Sequence, residues 1–116
     1  GDVYKRQQSK VTAKWDESLS NEEKFAKIAT QRWIAIYPEG MNGWAEIRRT
    51  GYPKLFPVMV NYSQGEIDTD LGPRRLPFTI NEKGNNPTGY AKAVEMLGGP
   101  DNGGTRIFWD VDKPNF

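Results

Sequence analysis

The feature that most constrains the fold is a proline-punctuated stretch, residues 52–86, that shows no helical periodicity. Prolines interrupt it at positions 53, 57, 73 and 77. Each one removes a backbone donor and biases the preceding residue toward extended conformations. An irregular segment of this length is unusual inside a small compact domain. It is ordinary in a segment that lies across a larger partner, so we interpret the chain as part of a longer protein.

Two short stretches inside this segment have strand-like sequence. Residues 57–62 are mostly apolar, and apolar side chains alternate with others across 76–80. Alternation of this kind is typical of a half-buried strand, although Pro77 restricts such a strand to the edge of a sheet. We therefore expect few, short strands and a mostly irregular course for 52–86.

A strong helix signal precedes this stretch at residues 21–37. Ser20 and Glu23 fit a capping box, in which each side chain accepts a hydrogen bond from the backbone of the other residue. Apolar side chains then recur at helical spacing, and Pro38 with Gly40 is expected to end the helix. Further apolar groups fall outside the main stripe, which is typical of a helix buried on more than one side.

Two shorter helices are predicted at residues 42–50 and 87–97. Gly51 is placed to end the first one, as glycine commonly does in the left-handed conformation. Asn86 is the cap of the second, a proline takes its first position and Gly98 closes it. The chain is therefore predicted to be mainly α-helical, with long irregular loops and few short strands.

Large side chains on these helices are the predicted core. Trp33, Ile36, Trp44 and Leu97 lie on the helical stripes. Aromatic rings bury large areas and commonly dominate a core. We therefore expect these residues among the more buried ones.

Charged residues near the end of the second helix have two interpretations. Glu46, Arg48 and Arg49 either contact a ligand or form ion pairs and cap backbone carbonyls. The helix dipole favours cations in the last turn. The structural network is therefore the preferred interpretation.

The charge balance and the missing residue types exclude several function classes. Lys and Arg number 16 against 15 Asp and Glu, a net charge of +1, whereas nucleic-acid-binding proteins concentrate a clear positive excess on one face. Cys and His are both absent, which excludes thiol nucleophiles, serine–histidine triads and imidazole or thiolate zinc sites within this chain. We expect no nucleic-acid partner, no metal and no cofactor.

Aromatic side chains in loops are the candidates for a binding site. A flat ring stacks on the apolar face of a sugar, while neighbouring amides and arginines bond its hydroxyl groups. Tyr62, beside a glycine-containing turn, and Trp109, in the tail, are the candidate ligand-binding residues. Loops carry binding residues more often than regular elements do.

Acidic residues raise two further possibilities. Glu66, Asp68 and Asp70 alternate as calcium ligands often do, but the stretch lacks the glycine and glutamate that an EF-hand loop requires. A fragment of a glycoside hydrolase is the alternative function, and it needs two carboxylates about 5–10 Å apart. No spacing singles out such a pair, so we predict no catalytic residue.

Residues 1–7 are set apart from the rest. They match the translation of a transposon-end adapter used to prepare sequencing libraries, and no Met precedes them. We interpret them as an artefact and exclude them from fold reasoning; the alternative is a genuine polar strand or coil. On the first interpretation, the natural protein extends upstream.

Four collinear motifs resemble the SusD/RagB family of nutrient-binding lipoproteins. They are QRWIAIYP with GWAEIRRTGYP, then RRLPF, then the helix that ends in LGG, and TRIFWD, at residues 31–53, 74–78, 86–99 and 105–110. One such string is weak, but four in the correct order are specific, and the resemblance covers roughly residues 9–112. Phe78 and Phe108 stand where the family has Tyr and Trp.

The resemblance implies a mainly helical fold with tetratricopeptide-like repeats, of which residues 8–116 form the C-terminal portion. It implies a lipid-anchored protein on the cell-surface side of the outer membrane of a Bacteroidetes-type bacterium, with the anchor outside this sequence. The implied partner is a SusC-type TonB-dependent transporter, and the implied ligand is an oligosaccharide or another nutrient. No enzymatic activity is implied.

Overall fold

The computed structural model describes residues 13–56 and 58–114. Within these ranges it has no β-strand, and its helices are α1 Asn21–Ala35, α2 Gly40–Thr50, α3 Ile80–Asn85 and α4 Pro87–Leu97. The mainly helical prediction is confirmed. The interpretation of residues 1–7 lies outside the described residues. None of the helices described is long and apolar enough to cross a membrane.

The bounds of α1 follow from its local sequence. The Ser20 hydroxyl accepts from the Glu23 N–H, and the Glu23 carboxylate accepts from the Ser20 N–H at 3.0 Å, so the capping box is complete. The helix ends at Ala35, before the predicted residue 37, because the proline after Tyr37 disfavours helical backbone there. α2 begins at Gly40, earlier than predicted, and packs against α1.

Gly51 ends α2 in the predicted left-handed conformation. Its φ is 76°, and its N–H donates to the Ile47 carbonyl at 2.7 Å. A Cβ at this position would lie 2.9 Å from the Lys113 side chain. The tail therefore lies against the end of α2, where the Val111 N–H donates to the Arg48 carbonyl at 2.9 Å.

α4 has the predicted bounds and caps. The Asn86 side chain accepts from the Gly89 N–H at 3.1 Å, and Gly98 ends the helix with a φ of 74°. The short helix α3 was not predicted and packs against α4. Apart from α3, the segment 52–86 is irregular in its described part, as expected.

The two strand interpretations are wrong. In the described part of the first stretch, Asn61 donates to the Ile67 carbonyl at 2.8 Å, so the chain closes a loop there. In the second stretch, the Phe78 N–H donates to the Asp101 carboxylate at 2.9 Å, and Ile80 already begins α3. Side chains thus take the backbone partners that a strand would have used.

The most buried side chains of the described residues are mainly polar or charged. The buried apolar residues there are Ala26, Ala29 and Ile47. The buried polar and charged residues are Thr30, Glu46, Arg48, Thr50, Arg74, Arg75 and Asp110. Charged side chains are rarely buried unless they are paired, so these groups must hold the fold together through specific contacts.

The predicted core residues Trp33, Ile36, Trp44 and Leu97 are all half-buried. The prediction is confirmed in that none of them is exposed, but none is fully covered. Other large apolar side chains are exposed, including Ile28 on α1 at 56%. One short neighbouring helix is too small to cover a helix that is apolar on several sides.

Candidate functional site

A polar cleft lies between the loop 61–72 and the turn 100–105. Its volume is about 580 Å³, which is in the size range of small-molecule sites. Its polar lining side chains are Asn61, Gln64, Asp68, Thr69, Asn102 and Thr105. No lysine or arginine of the described residues lines it.

Its own side chains hold the 61–72 loop in shape. Asn61 Nδ2 donates to the Ile67 carbonyl at 2.8 Å and to the Thr69 hydroxyl at 3.0 Å. The Ser63 hydroxyl donates to the same carbonyl at 3.2 Å and accepts from the Ile67 N–H at 3.1 Å. Asn and Ser often bond nearby backbone groups in this way. The loop is therefore ordered without a helix or strand.

Side-chain bonds also fix the 100–105 turn. Asn102 Oδ1 accepts from the N–H groups of Gly104 and Thr105 at 3.0 and 3.1 Å. The Thr105 hydroxyl donates to the Pro100 carbonyl at 2.6 Å. The opposite wall of the cleft is thus as well defined as the loop.

Gly103 allows the two walls to meet. A Cβ at this position would lie 3.0 Å from the Ile67 side chain and 3.3 Å from the Glu66 carbonyl. The Gly103 carbonyl also accepts from the Arg74 N–H at 2.7 Å. The cleft is therefore attached to the buried centre of the chain.

Polar groups in the cleft remain open to a ligand. Among the described residues, the Gln64 amide, Asn102 Nδ2 and the second carboxylate oxygen of Asp68 accept or donate no hydrogen bond. Gln64 also has a φ of 55°, and strained left-handed backbone of this kind recurs at functional sites. Amide and carboxylate groups together offer both donors and acceptors.

Tyr62 and Trp109, the predicted binding residues, lie in different settings. Tyr62 belongs to the 61–72 loop and is 88% exposed. Trp109 is 36% exposed, and its ring centroid lies 4.6 Å from the Arg48 guanidinium carbon. The same carbon lies 3.6 Å from the Trp44 centroid, so Arg48 makes cation–π contacts with both tryptophans.

A buried ion pair accompanies this stack. Arg74 Nη1 lies 3.6 Å from the Asp110 carboxylate, and both side chains are fully buried. Arg48 donates to the Arg74 carbonyl at 2.7 Å, and Arg74 donates to the Lys113 carbonyl at 2.8 Å. These bonds join α2, the 72–78 segment and the tail.

Burial dominates the electrostatics of this cluster. It raises the pKa of the Asp110 carboxyl, while the neighbouring Arg74 and Arg48 charges act in the opposite direction. Burial lowers the pKa of both guanidinium groups, which stay protonated at neutral pH. Because Asp110 is closed to solvent, the cluster is suited to structure rather than to proton transfer. Sequence reasoning did not single out Arg74 or Asp110, although both lie in the RRLPF and TRIFWD motifs.

The network predicted around Glu46 is present. Its carboxylate lies 2.6 Å from Arg49 and 3.0 Å from Arg32. The hydrogen bond from Arg49 lowers the pKa of Glu46, burial opposes this, and the bond from Arg32 adds to the lowering. Arg48 bonds a carbonyl of a different segment, so the three predicted residues have structural contacts.

A second charged contact holds the start of the cleft turn. Asp101 lies 2.6 Å from Arg75 and accepts from the Phe78 N–H at 2.9 Å and from the Tyr90 hydroxyl at 3.1 Å. Burial opposes the ionised form, but these bonds together lower the pKa of Asp101. They connect α4 to the irregular segment.

The acidic side chains of Glu66, Asp68 and Asp70 do not converge on one point. Asp68 Oδ1 accepts from the N–H groups of Asp70 and Leu71 at 2.8 and 2.9 Å. Within 13–56 and 58–114, no group of acidic side chains is arranged to hold a metal ion. The alternation in the sequence corresponds to a local turn.

Comparisons with known proteins identify a family. The SusD-like family, described as Susd and RagB outer membrane lipoprotein, matches residues 2–110. No curated protein matches the sequence.

Solved structures give the same result. A chitin-binding SusD homologue from Flavobacterium johnsoniae is 57% identical, with a TM-score of 0.81, over 90% of this chain and 22% of its own. A SusD homologue from Bacteroides vulgatus is 54% identical, with a TM-score of 0.77, over 87% of this chain and 20% of its own. A SusD homologue from Bacteroides uniformis is 45% identical, with a TM-score of 0.84, over 90% of this chain and 22% of its own. The chain thus spans about a fifth of the length of these relatives.

Proposed function

We propose, from the premise that the chain belongs to the SusD-like family, that the protein binds a nutrient glycan on the cell-surface side of the outer membrane. The description of the family as outer membrane lipoproteins supports the outer-membrane part of this proposal. We further propose that the protein hands its ligand to a SusC-type TonB-dependent transporter. A lipid anchor would belong to a part of the protein outside these 116 residues, which contain no cysteine.

The observation that carries the ligand proposal is the high identity with the chitin-binding homologue from Flavobacterium johnsoniae. A second solved relative is described as a chitin-binding protein. Chitin is a neutral polymer whose units present hydroxyl and acetamido groups. We therefore propose chitin oligosaccharides as the ligand class.

Binding without hydrolysis is the form of the proposal that the chain supports best. Glycoside hydrolysis needs a pair of carboxylates about 5–10 Å apart across an accessible cleft, one of them with a raised pKa. Burial raises the pKa of Asp110, but this side chain is closed to solvent and faces Arg74. The described residues therefore give no support to the hydrolase alternative.

Calorimetric titration of the full-length protein with chitin oligosaccharides tests the proposal. We expect saturable binding with a dissociation constant in the micromolar range, which corresponds to about −8 kcal/mol, and weaker binding of malto- and xylo-oligosaccharides. Binding of another glycan in place of chitin would change the ligand class. Absence of binding to any glycan in the panel would overturn the function.

Two further measurements test the absence of hydrolysis and the role in transport. Incubation of the full-length protein with chitin oligosaccharides should release no shorter product over time; release that one Asp or Glu substitution abolishes would establish an enzyme. Affinity purification from the native outer membrane should recover a TonB-dependent transporter. Its absence from the purified complex would count against the transport role.

A further inference from the structure

We propose that the cleft between the 61–72 loop and the 100–105 turn is a sugar subsite, and that Tyr62, the exposed ring next to the lining residue Asn61, stacks on the sugar. The inference rests on the proposed glycan-binding function and assigns one of its contact sites to this chain. Gln64, Asp68 and Asn102 are the polar partners of the sugar. The occupant is a neutral saccharide unit with hydroxyl or acetamido substituents.

The chemistry of the lining supports a neutral ligand. The polar side chains of the cleft are amides, hydroxyls and the Asp68 carboxylate, and no cationic side chain of the described residues joins them. An anionic sugar would meet the Asp68 charge, and no cationic side chain of the described residues lines the cleft to bind it. Hydroxyl and acetamido groups, in contrast, both donate and accept, which suits the free amides of Gln64 and Asn102.

Tyr62 belongs to the same ordered loop as Gln64 and Asp68. Tyr62 lies between Asn61, which lines the cleft, and Ser63, whose hydroxyl bonds the Ile67 backbone. Its side chain is 88% exposed, although the loop beneath it is held by several hydrogen bonds. Because the backbone of the loop is already ordered, binding a sugar to Tyr62 needs no further ordering of the loop, which favours affinity.

The backbone of Gln64 is a second, independent observation. Among the described residues it is the one non-glycine residue with a positive φ, at 55°. Glycine adopts such a backbone without steric cost, and glycine in fact follows at position 65. A glutamine kept at the strained position supplies an amide to the cleft that glycine would not supply, and strain of this kind is common at ligand sites.

A second groove provides the matched control. It is lined by Met96, Leu97, Arg106 and Phe108, among others, with a volume of about 530 Å³. Phe108 is 98% exposed, so its ring is as accessible as that of Tyr62. Arg106, however, is paired with Asp112 at 3.1 Å, and this groove lacks the free amides of the cleft. Phe108→Ala therefore removes an exposed ring from the same chain without touching the proposed subsite.

The test is calorimetric titration of the full-length protein with a chitin oligosaccharide, with thermal unfolding of each variant as the folding control. Tyr62→Ala should weaken affinity about tenfold, a loss of about 1.4 kcal/mol, while Tyr62→Phe keeps the ring and should bind nearly as the unmodified protein does. Gln64→Gly should weaken affinity about threefold to tenfold, because one or two hydrogen bonds are lost, without lowering the unfolding temperature. Phe108→Ala should leave affinity unchanged.

The outcomes separate the subsite from the function. If the unmodified protein binds chitin oligosaccharides but Tyr62→Ala and Gln64→Gly bind equally well, the subsite is wrong and the proposed function stands. If Phe108→Ala weakens binding and Tyr62→Ala does not, the site lies in the second groove. If the unmodified protein binds no glycan, the proposed function itself fails.

Discussion

Two regions of this chain have opposite relations to solvent. The arginine-centred region, which consists of α2 with segments 72–78 and 101–113, buries its charges: Arg74 is 0% exposed and Arg48 7%. The apolar surface, which consists of α1 with residues 55–56 and 58–60, leaves large side chains open: Phe56 is 74% exposed and Met59 89%. This is the reverse of the usual distribution in a complete domain.

The difference shows which large side chains are covered by other parts of this chain and which are not. Buried charges are paired within the chain, since Arg74 faces Asp110 at 3.6 Å and bonds the Lys113 carbonyl. Neither Asp110 carboxylate oxygen accepts a hydrogen bond from the described residues, so the pair is held by charge alone. Within residues 13–56 and 58–114 the apolar surface finds no comparable cover, and the chain spans only about a fifth of the length of its solved relatives. Monomeric proteins rarely expose large apolar patches. We infer that the rest of the SusD-like domain covers this surface.

The largest expected effect is on stability when the chain is isolated. Residues 8–116 expressed alone should unfold without a cooperative transition and bind glycans weakly or not at all, because their exposed apolar groups lack cover. Thermal unfolding, dye binding to apolar surface and calorimetry would measure this. A cooperative transition together with micromolar binding by the isolated chain would show that the apolar surface needs no partner.

Removal of a buried charge should have the next largest effect. Arg74→Met in the full-length protein should lower the free energy of unfolding by about 3–5 kcal/mol, since it leaves Asp110 buried without its closest charge. The matched control is Arg49→Met, because the Arg49 side chain is 54% exposed and Glu46 keeps its pair with Arg32; this loss should be at most about 1 kcal/mol. The double variant with Asp110→Asn should lose less than the sum of the single losses; equal effects of the two arginines would contradict the comparison.

Gly51→Ala tests the junction of α2 with the tail. It forces an L residue into the left-handed region and places a Cβ 2.9 Å from Lys113, so we expect a loss of about 1–2 kcal/mol in chemical denaturation. Gly40→Ala is the control because a Cβ there meets nothing within 4 Å. It should leave stability unchanged or raise it by up to about 1 kcal/mol. Similar losses at both glycines would argue against a tight junction.

The smallest expected effect concerns pH. The bonds from Phe78, Arg75 and Tyr90 prevail over burial and hold the pKa of Asp101 below its ordinary value of 3.8. A lowered pKa in the folded state means that Asp101 contributes stability above about pH 3.8, and that this contribution disappears as pH falls below that value. The unfolding temperature of Asp101→Asn should therefore fall less steeply than that of the unmodified protein between pH 6 and pH 3. Parallel profiles would sink this prediction.

Local sequence predicted the helices well and their surroundings poorly. The capping box at Ser20, the glycine at position 51 and the caps of α4 act within a few residues, so they are readable from the sequence. α3 was missed, since its six residues carry no long apolar stripe. Leu76 and Ile80 alternate as in a strand, yet they are exposed at 72% and 84%, because the described part of the chain has no strand to cover them.

The candidate site was predictable only in part, because a sequence shows local patterns and not distant contacts. Tyr62 was singled out from its residue type and loop position, and the loop around it is closed by local bonds. Gln64 and Asn102 were not singled out, because the cleft forms only when Gly103 admits Ile67 at close range. The motifs that carry the family resemblance include Arg74 and Asp110, but they do not show the role of either residue.

The sequence by itself determined the helical class, the caps at Ser20, Gly51, Asn86 and Gly98, and the family, because caps and motifs act over short distances along the chain. Only the tertiary structure decided which charges are buried and where a cleft opens. Arg48 and Arg74 bond carbonyls 26 and 39 positions away, and a residue's partner at such a distance leaves no local pattern. The burial of a charge depends on that partner, since an unpaired charge in the interior is far more costly than a paired one.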